Sequence, residues 1–161
     1  PKPYTVETVA KLREMNVKIG STTGYTDSMM NIVVPEAAKQ GYEPDCWFSP
    51  DSTKGKGRPF PYMIFENMKE LGITNVKNVV KVGDTVSDIK EGVNSGVWSV
   101  GVIEGSSELG LSQAEFEDLD EDARRKLCVE VERTFKEAGA HYVIKNLLEL
   151  PELVGRLGEQ G

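Results

Sequence analysis

The sequence is poor in the residues that most often build metal centres and activated nucleophiles. Its 161 residues include one histidine and two cysteines. His141 opens an apolar stretch with no Ser or Cys partner at a recognisable spacing, so no catalytic triad can be assigned. Cys46 and Cys128 lack the paired spacing of a zinc site and read as free thiols of a cytoplasmic protein. Positive charge is also short: 19 Lys and Arg stand against 26 Asp and Glu, a net charge of −7. A surface of that sign does not recruit nucleic acid or an anionic membrane. An anionic ligand would therefore need a local cation or a metal. No apolar run reaches membrane length, and no secretory signal is expected from the opening residues. There are no repeats and no low-complexity tracts. The glycines at 101, 105 and 110 miss the dinucleotide fingerprint, and Gly55-Lys56-Gly57-Arg58 lacks the Gly-Lys-Ser/Thr of a Walker loop. Pro1 rather than Met stands first, so the numbering is expected to begin inside a longer chain.

What is present is the regular alternation of an α/β domain. Apolar residues at 39% and charged residues at 28% suit one soluble domain over 1–161, long enough to bury a core. Helical periodicity over 4–15 places Val6, Val9, Ala10 and Leu12 on one stripe. Strands are expected at 17–23, 45–49, 78–84, 97–103 and 141–144. Helices are expected at 26–39, kinked at Pro35, and at 59–72, 87–96 and 146–157, with one long acidic helix at 112–139. Trp47, Phe48 and Trp98 read as core aromatics. This order implies a doubly wound, Rossmann-like parallel sheet with helices on both faces. In such sheets ligands bind beyond the carboxyl ends of the strands. That rule brings Ser21, Thr22, Thr23, Ser49, Asp51 and Asp84 to one edge.

Three segments at that edge could carry chemistry. Asp84 and Asp88 sit one turn apart where a strand becomes a helix, and hard oxygen donors so placed suit Mg²⁺. Helix capping by Asp84 and Ser87, with Asp88 complementing the helix dipole, is the equal alternative. In Gly20-Ser21-Thr22-Thr23-Gly24-Tyr25-Thr26, hydroxyls and N–H groups at a helix N-terminus could hold phosphate, or Thr26 could cap an ordinary helix. The loop holding Lys56 and Arg58 could neutralise phosphate, or be a solvated surface loop.

The segments gain meaning in their order. A strand ending in Thr, a Lys/Arg-Pro opening a helix, and a strand ending in GDxxxD follow one another as in the haloacid dehalogenase superfamily. VKIGSTTGYT, GRPFPYM, KVGDTVSDIKEG and GVIEGSSELGL together resemble its phosphonoacetaldehyde hydrolases (phosphonatases) over nearly the whole chain. The resemblance implies Mg²⁺-dependent cleavage of the carbon–phosphorus bond of phosphonoacetaldehyde, giving acetaldehyde and phosphate. In that family a cap-domain lysine forms a Schiff base with the aldehyde and a core aspartate attacks phosphorus. Carried over, Thr23 or Thr22 would hydrogen-bond the phosphoryl group and Arg58 would offset its charge. Asp84 would coordinate Mg²⁺, Asp88 would support the metal site, and Tyr25 would lie near the imine.

The resemblance is partial. The family's nucleophile ends a first, central strand, and its cap domain comes before the segment that begins here; neither is found in this sequence. Asp118 and Asp120 lie in a polar helical pattern with no strand before them and are not expected to replace the nucleophile. These residues are therefore expected to form an incomplete core, inactive alone, with the missing strand supplied from elsewhere or the core rearranged. A longer protein would pair as a homodimer, largely through the cap. A phosphate-ester phosphatase of the same superfamily and a non-catalytic Mg²⁺- or phosphate-binding module are the alternatives.

Overall fold

A computed structural model describes residues 3–160. Its elements are α1 (Thr5–Glu14), β1 (Gly20–Thr22), α2 (Asp27–Lys39), β2 (Cys46–Phe48), α3 (Tyr62–Leu71), β3 (Val80–Gly83), α4 (Val86–Ser95), β4 (Trp98–Val102), α5 (Gln113–Asp118), α6 (Glu121–Glu137), β5 (Tyr142–Ile144) and α7 (Leu150–Gln160). The alternation read from the sequence is present, and every strand pairing is parallel. The strands fall into two hydrogen-bonded blocks, β1–β2 and β3–β4–β5.

β4 is the centre of the larger block. Its Val100 and Val102 pack with Leu12 of α1 and with Leu150, Leu153 and Leu157 at the start and along one face of α7. On the other side Ile89 of α4, Phe116 of α5 and Phe135 of α6 form a second apolar cluster. Gly101 belongs to this packing, because a Cβ there would lie 2.6 Å from the Phe135 ring. Burial on both sides explains why β4 reads as an almost unbroken apolar run.

Between the blocks, β1 and β3 face a cavity of about 810 Å³. Ile19 to Thr22 line one side of it and Val79 to Gly83 the other, with Leu12, Leu150 and Leu157 among the apolar residues beneath. The family resemblance implies that the central first strand would lie between the strands ending at Thr23 and Asp84, which are these two.

Several local expectations need correction. The 112–139 stretch is two helices, because Leu119 is extended and the Asp120 side chain caps α6 by accepting from Ala123 N at 2.8 Å. In α1 the buried residues are Thr8 and Leu12, while Val6 is exposed. Thr8 compensates for its polarity by donating to the Leu147 carbonyl at 3.1 Å. By contrast, α2 runs to Lys39 with Pro35 inside it, as the sequence pattern implied. Trp47, Phe48 and Trp98 are half-buried rather than fully enclosed.

Candidate functional site

Each block delivers polar groups to the same edge. The turn after β3 is shaped by Gly83: a Cβ on it would lie 2.1 Å from the Asp88 Cβ. Glycine lets the first turn of α4 sit directly under the strand tip. The cap of α4 is Thr85, not Asp84 with Ser87. Thr85 Oγ1 accepts from Asp88 N at 3.0 Å, and Asp88 Oδ2 takes the amides of Asp84 and Thr85, each at 3.2 Å. This is a capping box with Asp at its third position. Asp88 thus closes the cap with one oxygen while its other oxygen faces two cations.

Asp88 Oδ1 lies 3.0 Å from Arg58 Nη1 and 3.5 Å from Lys81 Nζ. Burial pushes the Asp88 carboxyl upward, but Lys81, Arg58 and the donors of the turn outweigh it and hold the group below the usual carboxylate range. Arg58 arrives from the loop between β2 and α3, on a cis Arg58–Pro59 peptide. Its Nη2 donates to the Thr22 carbonyl at 3.0 Å, so one guanidinium joins both blocks. Lys56 of the same loop lies over the Phe60 ring instead.

Thr22 and Thr23 have different surroundings. Thr22 Oγ1 accepts from Lys81 Nζ at 2.8 Å and donates to Glu91 Oε1 at 3.1 Å. Thr23 is buried, and its hydroxyl accepts the Tyr25 amide at 3.1 Å, which shapes the loop before α2. Tyr25 itself is exposed in that loop. Ser49 donates to Asp27 at 2.5 Å, and Asp51 accepts the Asp27 amide at 2.7 Å, so these two strand-end residues anchor the start of α2. Thr26 caps α2.

Two members of the cluster escaped the sequence reading. Lys81 interrupts an apolar strand, and Glu91 follows Asp88 by three residues on the same helix face. Glu91 is 0% exposed and its Oε1 lies 2.9 Å from Lys81 Nζ. Arg58 Nε is 3.7 Å from the same oxygen, and neither Arg58 Nε nor Glu91 Oε2 has a hydrogen-bond partner among the described residues. A charged residue in the middle of an otherwise apolar strand was the available signal for Lys81; for Glu91 it was the position three residues after Asp88 in α4.

The carboxylates of Asp84 and Asp88 fit Mg²⁺ in donor type. No group of three or more His, Cys, Asp or Glu that could hold a metal occurs among the described residues. The pair therefore offers part of a coordination shell. Both cysteines are free thiols, and burial pushes Cys46 and Cys128 upward. No described helix is long and apolar enough to cross a membrane.

Comparison with known proteins finds relatives that match nearly the whole chain. A family model described as haloacid dehalogenase-like hydrolase matches residues 1–96. A phosphonoacetaldehyde hydrolase of Lysinibacillus sphaericus is 49% identical over 160 residues, covering 99% of this chain and 60% of that protein. A bifunctional phosphonoacetaldehyde hydrolase/aminoethylphosphonate transaminase of Clostridioides difficile is 54% identical over 155 residues, covering 96% of this chain and 24% of that protein. The crystal structure of a phosphonoacetaldehyde hydrolase-like protein from Oleispira antarctica superposes with a TM-score of 0.92 at 32% identity, over 98% of this chain and 57% of that one. The chain thus spans 60% or less of the length of these relatives.

Proposed function

The chain belongs to the haloacid dehalogenase-like hydrolases, and from that premise we propose that it forms the core of a Mg²⁺-dependent phosphonoacetaldehyde hydrolase. The reaction would cleave the carbon–phosphorus bond with water and release acetaldehyde and phosphate. The observation that carries this reading is the convergence of Thr22, Arg58, Asp84 and Asp88 at one strand edge, in a chain about half identical to named phosphonoacetaldehyde hydrolases.

The roles follow from the chemistry of each group. Arg58 is a fixed cation with a forked donor face, suited to phosphoryl oxygens. Thr23 and Thr22 bring hydroxyls to the end of β1, and Tyr25, in the loop beside them, would lie near the imine. Asp84 and Asp88 would hold Mg²⁺, which when bound supplies charge stabilisation to the transferring phosphoryl group. Asp88 contributes mainly by orientation, because its oxygens already serve the turn and two cations.

We place the phosphoryl-accepting carboxylate on an extended strand from outside residues 1–161, lying in the cavity between β1 and β3. The 161 residues alone would then bind ligands without turnover, since positioning cannot replace a covalent acceptor. The test is phosphate release from phosphonoacetaldehyde with Mg²⁺. A protein that adds the upstream strand and cap should be active, and its Asp84→Ala variant should lose at least about a hundredfold. Turnover by the 161 residues alone would overturn this division of labour.

A further inference from the structure

We infer that Glu91 sets the charge of the crevice by acting through Lys81, without itself serving as a ligand; this rests on the metal and phosphate reading above. Lys81 has 12% of its side chain exposed and reaches from β3 to Thr22 of β1. A cation this enclosed requires a close counter-charge. Asp88 is the weaker candidate, at 3.5 Å and already engaged by Arg58 at 3.0 Å. Glu91 lies at 2.9 Å. Arg58 with Asp88 and Lys81 with Glu91 are therefore the closest ion pairs of the cluster, cross-linked by the longer Lys81–Asp88 and Arg58–Glu91 contacts.

This pairing determines what an incoming ion experiences. With Glu91 charged, three carboxylates face two cations at the edge. With glutamine in its place the numbers are equal, while size and the acceptor for Thr22 are kept. Asp88 alone would then answer both Arg58 and Lys81, leaving less negative charge for a divalent cation. An anion would meet less repulsion. Removing the charge of Glu91 must therefore move metal and phosphate affinity in opposite directions, whereas the loss of a purely structural support lowers both.

The experiment titrates the longer protein, with its upstream strand and cap, and variants of it with MgCl₂ and, separately, with inorganic phosphate by calorimetry. It also follows the ¹⁵N signal of the Lys81 ammonium by NMR. For Glu91→Gln we expect Mg²⁺ binding to weaken about tenfold and phosphate binding to strengthen a few-fold. The Lys81 signal should be lost to solvent exchange. The double variant K81M/E91Q removes one charge of each sign and should return Mg²⁺ affinity to within about twofold of the parent. Affinities that fall together, affinities that do not move, or an unchanged Lys81 signal would overturn the inference. If Glu91→Gln does not fold, the double variant decides: restored Mg²⁺ affinity supports the inference and lost affinity overturns it. If the parent chain binds neither ion, the reading of the site fails. The Lys81 signal in Glu91→Gln then judges Glu91 alone, with loss supporting its hold on Lys81 and persistence refuting it.

Discussion

The β3–β4–β5 block and the β1–β2 block both consist of parallel strands, yet they are held in different ways. In the larger block, Val100, Ile89 and Phe135 are each 0% exposed, and apolar clusters cover both faces of β4. In the smaller block the strands are three residues long and only partly buried. Its helix α2 buries Met30 while Ile32 of the same helix is exposed. The site draws its carboxylates from the dense block and its hydroxyls and guanidinium from the sparse one. Charge contacts join them: Arg58 to Asp88, and Lys81 and Glu91 to Thr22. Overall stability and integrity of the site should therefore be separable, with the first located in one block and the second at the junction.

The largest effect should come from the dense block. Phe135→Ala should lower unfolding free energy by about 3–5 kcal/mol in urea titrations, and Met30→Ala by less, near the low end of about 2–5 kcal/mol. Equal losses would show that the blocks are supported alike. An intermediate effect concerns acid. The folded state holds the Asp88 carboxyl below the ordinary range, so its charged form stabilises the fold above about pH 4. That contribution is lost as pH falls from about 4 through the lower folded value. Asp88→Asn should flatten this part of the curve of urea midpoint against pH; an unchanged acid limb would remove Asp88 from the junction. The smallest effect is Arg58→Lys. It should leave the urea midpoint nearly unchanged while weakening phosphate binding about tenfold, because an ammonium cannot span Asp88 and the Thr22 carbonyl together.

The sequence was most informative where one residue type has one use. Alternating apolar runs and glycine-ended helices gave the element order, the strand-end rule brought Thr22, Thr23 and Asp84 to one edge, and the family resemblance added Arg58 and Asp88. It was least informative where contacts are long-range. Leu119 and Asp120 look helical by pattern, but the Asp120 side chain starts a new helix, so one expected element is two. Thr85 took the cap that Ser87 and Asp84 seemed equally able to make. Lys81 and Glu91 meet because β3 and α4 pack face to face, and Lys81 finds Thr22 across 59 positions of chain. No local periodicity encodes that partnership.

Gly83 has a consequence beyond packing. Because a Cβ there would lie 2.1 Å from the Asp88 Cβ, the spacing of the two acidic side chains depends on an atom the chain does not possess. Any larger residue at this position must move the start of α4, and with it Asp88, Glu91 and the cations they hold. This position admits no side chain while the start of α4 stays where it is. The acidic pair therefore sits at the end of a narrow mutational corridor, and sequences that leave Gly83 must rebuild the helix start before they can use the site again.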